Sequence, residues 1–282
     1  MLKELVGALA EPVPIRFLVL RLLDKGFGFL SYKDKIRYGS VDRPHYGYGV
    51  HQAALLARKL GVPRISAIEL GVAGGEGLLA LERHAELARR DTGVEVATYG
   101  FDTGAGLPPP EDVRDVPYLF QAGDYAMDVD RLQRRLKKGS KLVLGNVAQT
   151  VEGFCERERP PPIGFVSLDL DLRSSTVAAL RVFEADHRFF LPRVVCYVDD
   201  MVGGADAAYN EFTGALRAIH DFNEEHARMK IAPVTGLRHI SKHLPQVWHE
   251  QIFVAHRFDH PDYGRPTEDP ANTQLPLRDD GS

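Results

Sequence analysis

The residues best placed to do chemistry are carboxylates that close apolar runs. FVSLDLDLRSST ends a run with Asp169 and Asp171, and VVCYVDDMVGG ends the next with Asp199 and Asp200. Two apart in an extended chain, Asp169 and Asp171 point to the same side. If the two runs are neighbouring strands, about 4.8 Å apart, the four carboxylates converge on one small volume. Unit charges about 4 Å apart at an effective dielectric of roughly 20 repel by about 4 kcal/mol, so such a cluster requires a cation or a proton. An oxygen-only set of aspartates suits Mg²⁺ or a similar hard cation better than zinc. The plainer reading of Asp171 is a cap on a helix that begins near Ser174 to Thr176.

A second constellation lies earlier, in ISAIELGVAGGEG, Ile65 to Gly77. An apolar strand runs into Glu69 and then into Gly71, Gly74, Gly75 and Gly77, where the backbone can turn sharply and approach a ligand. Leu78, Leu79 and Leu81 then begin a helix whose free N–H groups face the same ligand. Asp102 follows the next strand, where a carboxylate can accept hydrogen bonds from both ribose hydroxyls of a cofactor; its alternative is a turn aspartate in DTGAG. Two glycine patterns compete. Gly75, Gly77 and Ala80 fit the GxGxxA of a dinucleotide site, whereas Glu69, Gly71 and Gly75 fit E-x-G-x-x-x-G.

The elements that must position these groups alternate between strand-like and helix-like, the mark of a mostly parallel sheet with helices on both faces. Besides the strand in Ile65 to Leu70, strands are predicted at Val94 to Phe101, Lys141 to Leu144, Gly164 to Leu168 and Val194 to Val198. Two more, Lys230 to Leu237 and Gln251 to Arg257, are too close in sequence for a crossover and should pair antiparallel. Helices are predicted at Leu2 to Leu9, Ile15 to Leu23, His51 to Leu60, Asp128 to Lys138, Ser175 to Phe189 and Asp206 to Arg228. The organisation read from this is an N-terminal helical extension over residues 1–49, a catalytic α/β domain over 50–260 and an irregular tail over 261–282. Tyr46, Gly47 and Tyr48 in the extension could form a lid over the site, although aromatic residues in such a run more often simply pack.

The totals bound the partners. With 282 residues, 44% hydrophobic content and 35 basic against 39 acidic residues, the chain suits one large α/β domain with no general attraction to nucleic acid or anionic membrane. A small molecule is the expected partner, and assembly as a homo-oligomer is left open. Cys155 and Cys196 read as isolated reduced thiols, which suits a cytoplasmic compartment. His239 and His243 have metal-ligand spacing but no accompanying HExxH, and the basic run from Arg131 to Lys141 reads as a solvated helix face.

The E-x-G-x-x-x-G form resembles the first motif of class I S-adenosylmethionine-dependent methyltransferases. GFDTGAGLP (Gly100 to Pro108), LGNVAQTV (Leu144 to Val151), LDLDLRSST (Leu168 to Thr176) and YVDDMVG (Tyr197 to Gly203) follow in an order that resembles the macrocin-type, metal-dependent sugar O-methyltransferases. The likeness runs from about Tyr46 to Phe258. It implies a doubly wound, mostly parallel seven-stranded sheet with an antiparallel final strand. It further implies that Glu69, Gly71 and Gly75 line the methionine end of S-adenosylmethionine, that Asp102 binds its ribose, and that Gly145 and Asn146 lie near its adenine. Asp169, Asp199 and Asp200 would hold Mg²⁺ and Asp171 would be the base, with a sugar or glycosylated molecule as acceptor. Arg173 departs from the pattern, which often has tyrosine there. The alternatives are an NAD-dependent oxidoreductase on a related sheet and a non-catalytic binding protein of the same fold.

Overall fold

A computed structural model describes residues 15–201, 210–239 and 246–268. Seven strands form one sheet: β1 (Arg64–Leu70), β2 (Glu95–Asp102), β3 (Ser140–Leu144), β4 (Ile163–Leu168), β5 (Phe190–Val198), β6 (Met229–Pro233) and β7 (Ile252–Arg257). Their order is β3-β2-β1-β4-β5-β7-β6. The first five are parallel, and β7 runs antiparallel to both β5 and β6. This is the doubly wound sheet with an antiparallel final strand that the sequence implies. Strand order reverses between β1 and β4, the crevice in which open α/β sheets bind ligands.

Helices α1 (Ile15–Phe27), α2 (Tyr32–Arg37), α3 (Pro44–Leu60) and α4 (Glu76–Thr92) precede β2 or flank β1. Then come α5 (Val129–Arg135), α6 (Val147–Thr150), α7 (Phe154–Glu158), α8 (Arg173–Leu180) and α9 (Gly214–Glu225). The apolar core divides about the sheet. One cluster joins Val166, Leu168 and Val198 to Leu180, Ile219 and Phe222; the other joins Ala67, Phe165 and Tyr197 to Tyr46, Val50 and Leu78. β4 is buried along its whole length, which is why it reads as an unbroken apolar run. Among the described residues no helix is long and apolar enough to cross a membrane.

Several predicted boundaries shift for identifiable reasons. α3 begins at Pro44 rather than His51, because Gly47 and Gly49 are interior helix residues whose missing side chains let the helix lie flat on its neighbours. A Cβ at Gly49 would stand 2.2 Å from the Phe165 ring. Tyr46 to Tyr48 are therefore helix, with Tyr46 fully buried, and the lid reading of this stretch gives way to the packing one. The helix predicted over Ser175 to Phe189 ends at Leu180 and continues as short 3₁₀ turns, where the Asp186 side chain accepts the Arg188 N–H; Phe190 already belongs to β5. Residues 210–213 turn rather than extend α9, the Asn210 side chain accepting the Phe212 N–H at 2.8 Å. β6 stops at Pro233, short of Leu237. The predicted helix Leu2 to Leu9, His243 and Asp206 to Ala208 lie outside the described residues. Cys155 and Cys196 are buried free thiols.

The close contact at Gly49 gives a direct test. Gly49→Ala should lower the thermal midpoint by roughly 2–10 °C through overpacking against Phe165, measured by circular dichroism. Gly74→Ala, whose Cβ meets open space, should leave it within about 2 °C.

Candidate active site

The strand ends on either side of the crevice are knitted together by main-chain hydrogen bonds. Gly71 N–H donates to Phe101 O, Asp169 N–H to Leu70 O, Gly145 N–H to Asp102 O (2.9 Å each) and Asp199 N–H to Leu168 O (3.0 Å). Gly71 has φ +90°, and a Cβ there would fall 1.6 Å from the Asp169 carbonyl oxygen. Only glycine lets β1 turn away this close to β4.

Beyond these ends lies an open cleft, walled by Gly71, Ala73, Asp102, Gly145, Asn146, Asp169 and Asp171 among others. Asp102 serves the glycine turn as well as the cavity: its Oδ2 accepts from Val72 N–H and Ala73 N–H at 2.9 Å, and its Oδ1 from Gly104 N–H at 2.7 Å. Three of about four lone-pair positions are thus used. One position is left open to a ligand hydroxyl. Asn146 caps α6 through its Oδ1.

Glu69 and Gly75, expected at the cofactor's methionine end, are not in the cavity wall. Glu69 is 1% exposed and lies beneath the turn, accepting from the Tyr46 hydroxyl at 2.6 Å, which in turn accepts from Ser167 Oγ at 3.0 Å. A Cβ at Gly77 would meet its Oε1 at 1.8 Å, and one at Gly75 would meet Leu132. These glycines allow α4 to sit over a buried glutamate and under Leu132. Neither Gly75 nor Gly77 is in the cavity wall. Burial raises the Glu69 carboxyl to about 8, against the pull of the Tyr46 hydrogen bond and of Arg43.

The four aspartates do gather at the ends of β4 and β5, which are adjacent and parallel, with Leu168 opposite Val198. Asp169 and Asp171 face the cavity. Asp200, buried, accepts the Asp171 N–H at 3.0 Å, and Asp199 accepts from the Tyr197 hydroxyl while Gln251 Nε2 holds its carbonyl at 2.5 Å. Burial, with Asp199, Glu69 and Asp200 nearby, raises the Asp169 carboxyl well above its ordinary range. Burial, with Asp200 and Asp199, raises Asp171 to about 7. The donor chemistry fits a hard cation. The spacing is wider than a closed ligand set: among the described residues, the one trio with ligand atoms all within 4.8 Å is His220, Asp221 and Glu224 on α9. There Asp221 is already bound by Arg173 at 2.5 Å and Arg217 at 2.8 Å. Arg173 thus spends its side chain on α9.

Sequence reading missed what holds Asp171. Asp171 has φ +59°, a left-handed conformation unfavourable to a non-glycine residue. The helix after it is pinned by Asp115, 1% exposed, which accepts Ser174 N–H at 2.7 Å and Ser174 Oγ at 2.9 Å. Val116 and Phe120, from the same loop, pack on Leu172. That loop also supplies Tyr125 and Asp124 to the wall. It lies between motifs, and only its DTGAGLP start carries a sequence signal.

No family model matches the chain, and no curated protein does. Among solved structures, CalS11, a calicheamicin methyltransferase, aligns over 91% of this chain and 90% of its own at 20% identity, TM-score 0.52. The apo structure of CalS11, a TDP-rhamnose 3'-O-methyltransferase, covers 91% and 92% at 20% identity, TM-score 0.43. An O-methyltransferase from Bacillus cereus in complex with SAH covers 84% and 96% at 12% identity, TM-score 0.41. The fold is that of the class I S-adenosylmethionine-dependent methyltransferases.

Burial of Glu69 has a pH signature in the ligand-free protein. Its folded value of about 8 lies above the ordinary 4.5, so its contribution to stability is fully present in acid and is lost as pH rises through about 8. Glu69→Gln, which keeps an acceptor for Tyr46 but carries no charge, should abolish that loss. Urea unfolding from about pH 5 to about pH 8.5 should show the variant gaining on the wild type as pH rises; parallel curves would refute the assignment.

Proposed function

We propose that the chain is an S-adenosylmethionine-dependent O-methyltransferase acting on a hydroxyl of a small molecule, a sugar or glycosylated natural product, with Mg²⁺ at the aspartates. The observation that carries this is the position of Asp171, in the wall of the cavity and in contact, through its own N–H, with the acidic cluster at the next strand end. The likeness of the fold to a calicheamicin methyltransferase supports the reaction class, and the order of the sequence motifs supports the acceptor class.

Bound S-adenosylmethionine supplies a methyl group already activated on sulfonium, so the protein's task is chiefly alignment and proton removal. Asp102, Gly145 and Asn146 would hold the adenosine end, and Asp169, Asp199 and Asp200 would hold the cation, which lowers the pKa of a hydroxyl bound to it. Asp171 takes the proton from the acceptor hydroxyl as its oxygen is methylated. A carboxyl raised by burial suits that work, because its conjugate base accepts a proton more readily than an ordinary carboxylate does. The Asp200 acceptor and the Asp115 anchor keep the base in its left-handed turn. We place the enzyme in the cytoplasm, where its thiols stay reduced, with residues 50–260 as the catalytic domain.

Calorimetry should show S-adenosylhomocysteine binding and no NAD binding; the reverse would overturn the cofactor. With acceptor extracts and labelled cofactor, turnover should fall as falling pH protonates Asp171, with the midpoint below about 7 when Mg²⁺ is saturating. Asp171→Asn should retain S-adenosylhomocysteine affinity and lose about 10²–10⁴ in kcat; undiminished turnover would remove it as the base. Asp199→Ala with Asp200→Ala should abolish the response of activity to added Mg²⁺.

A further inference from the structure

A second cleft opens between α2, α3 and the 3₁₀ turn Val247–Glu250 that leads into β7. It shares no lining residue with the cleft beyond the ends of β1 and β4. The two also differ in charge. Asp102, Asp124, Asp169 and Asp171 line the first, whereas among the described residues no carboxylate lines the second. In a chain with 39 acidic against 35 basic residues, a wall of donors and cations alone sets this cleft apart from the general surface.

Helix spacing builds two of its walls. Lys33 and Arg37 stand one turn apart on α2, and Tyr48 and Gln52 one turn apart on α3, so each helix presents a pair to the cleft. Lys33 is exposed and has no ion pair among the described residues. The third wall is aromatic. The Tyr48 and Trp248 ring centres are 5.5 Å apart, and those of Trp248 and His249 are 4.2 Å apart.

Trp248 carries the observation that points to a ligand. It is 7% exposed, and its Nε1–H is buried without a hydrogen-bond partner. An indole N–H can only donate, so what it lacks is an acceptor. His249 adds a second donor. Its Nδ1 accepts the Gln246 N–H at 3.4 Å and burial lowers its pKa, which leaves a neutral ring with the proton on Nε2.

We propose that this cleft is a second small-molecule site, for a planar ring that carries a phosphate or a carboxylate. The ring lies against Tyr48 and Trp248, and the anion faces Lys33 and Arg37. The proposal is independent of the cofactor reading, since it uses neither the residues nor the ligand of that site. The competing role is a packing seam that seats α2 on α3 and takes no ligand.

Trp248 is the chain's single tryptophan, so its fluorescence reports on this cleft. The full chain is titrated with uridine monophosphate, benzoate, uridine and inorganic phosphate, which present ring with phosphate, ring with carboxylate, ring alone and anion alone. Uridine monophosphate, benzoate or both should shift the Trp248 emission saturably, with uridine and phosphate at least about tenfold weaker. A response to uridine monophosphate alone identifies a nucleotide-like ligand, and one to benzoate alone an aromatic acid. Lys33→Glu, at an exposed and unpaired position, should weaken the better ligand by about tenfold or more and leave the circular dichroism spectrum unchanged. Saturating S-adenosylhomocysteine should not displace that ligand. No response to either ring-bearing anion, an equal response to uridine, an unchanged affinity in Lys33→Glu, or displacement by S-adenosylhomocysteine would overturn the site.

Discussion

Negative charge held away from water at the carboxyl ends of β1, β4 and β5 is the constraint on which the site depends. Glu69, Asp169, Asp171 and Asp200 are each partly or fully desolvated, and each raises the cost of ionising another. The sheet creates this charge density by bringing parallel strands to a common edge, and main-chain bonds from one strand end to the next prevent it from spreading. A cluster of this kind stores an affinity for positive charge. Arg43, half-buried beside Glu69 and Asp169, meets part of it.

The rest of the site is arranged around that charge. Asp102 is occupied mostly by the glycine turn, so the turn and the second strand end are a single unit rather than two separate contacts. Asp115 reaches from the loop after β2 to the first turn of α8, and Leu172 is packed from the same loop. Asp171 is therefore set between two elements, one holding its main-chain N–H and the other holding the helix behind it. Backbone strain at Asp171 is tolerated because both neighbours are buried.

The sheet was legible in sequence because its central strands β1, β2, β4 and β5 are buried on both faces and closed by glycine or aspartate, so each existed in the pattern even where its ends moved. The acidic cluster was legible for the same reason, since period-two spacing and strand adjacency follow from the apolar runs. Contacts between distant segments were not. Tyr46 reads equally as lid or packing residue until Ser167 and Glu69 are brought to its hydroxyl. Gly49 reads as a loop residue until Phe165 lies against it. Asp115 is one acid in a loop rich in them, and nothing in its neighbours announces Ser174. Helix ends failed where a side chain intercepted the backbone, as Asp186 and Asn210 do, because local hydrogen bonds of that kind compete with helix without altering apolar periodicity.

The central claim is that the crevice has a cofactor half and an acidic, cation-binding half that meet near the transferring group. Paramagnetic broadening by Mn²⁺ tests it most directly. With S-adenosylhomocysteine bound, Mn²⁺ added in substoichiometric amounts should broaden the proton signals of the methylenes beside sulfur before those of the adenine ring, and Asp199→Ala with Asp200→Ala should abolish the effect. Uniform broadening, or broadening that survives loss of those carboxylates, would contradict the account.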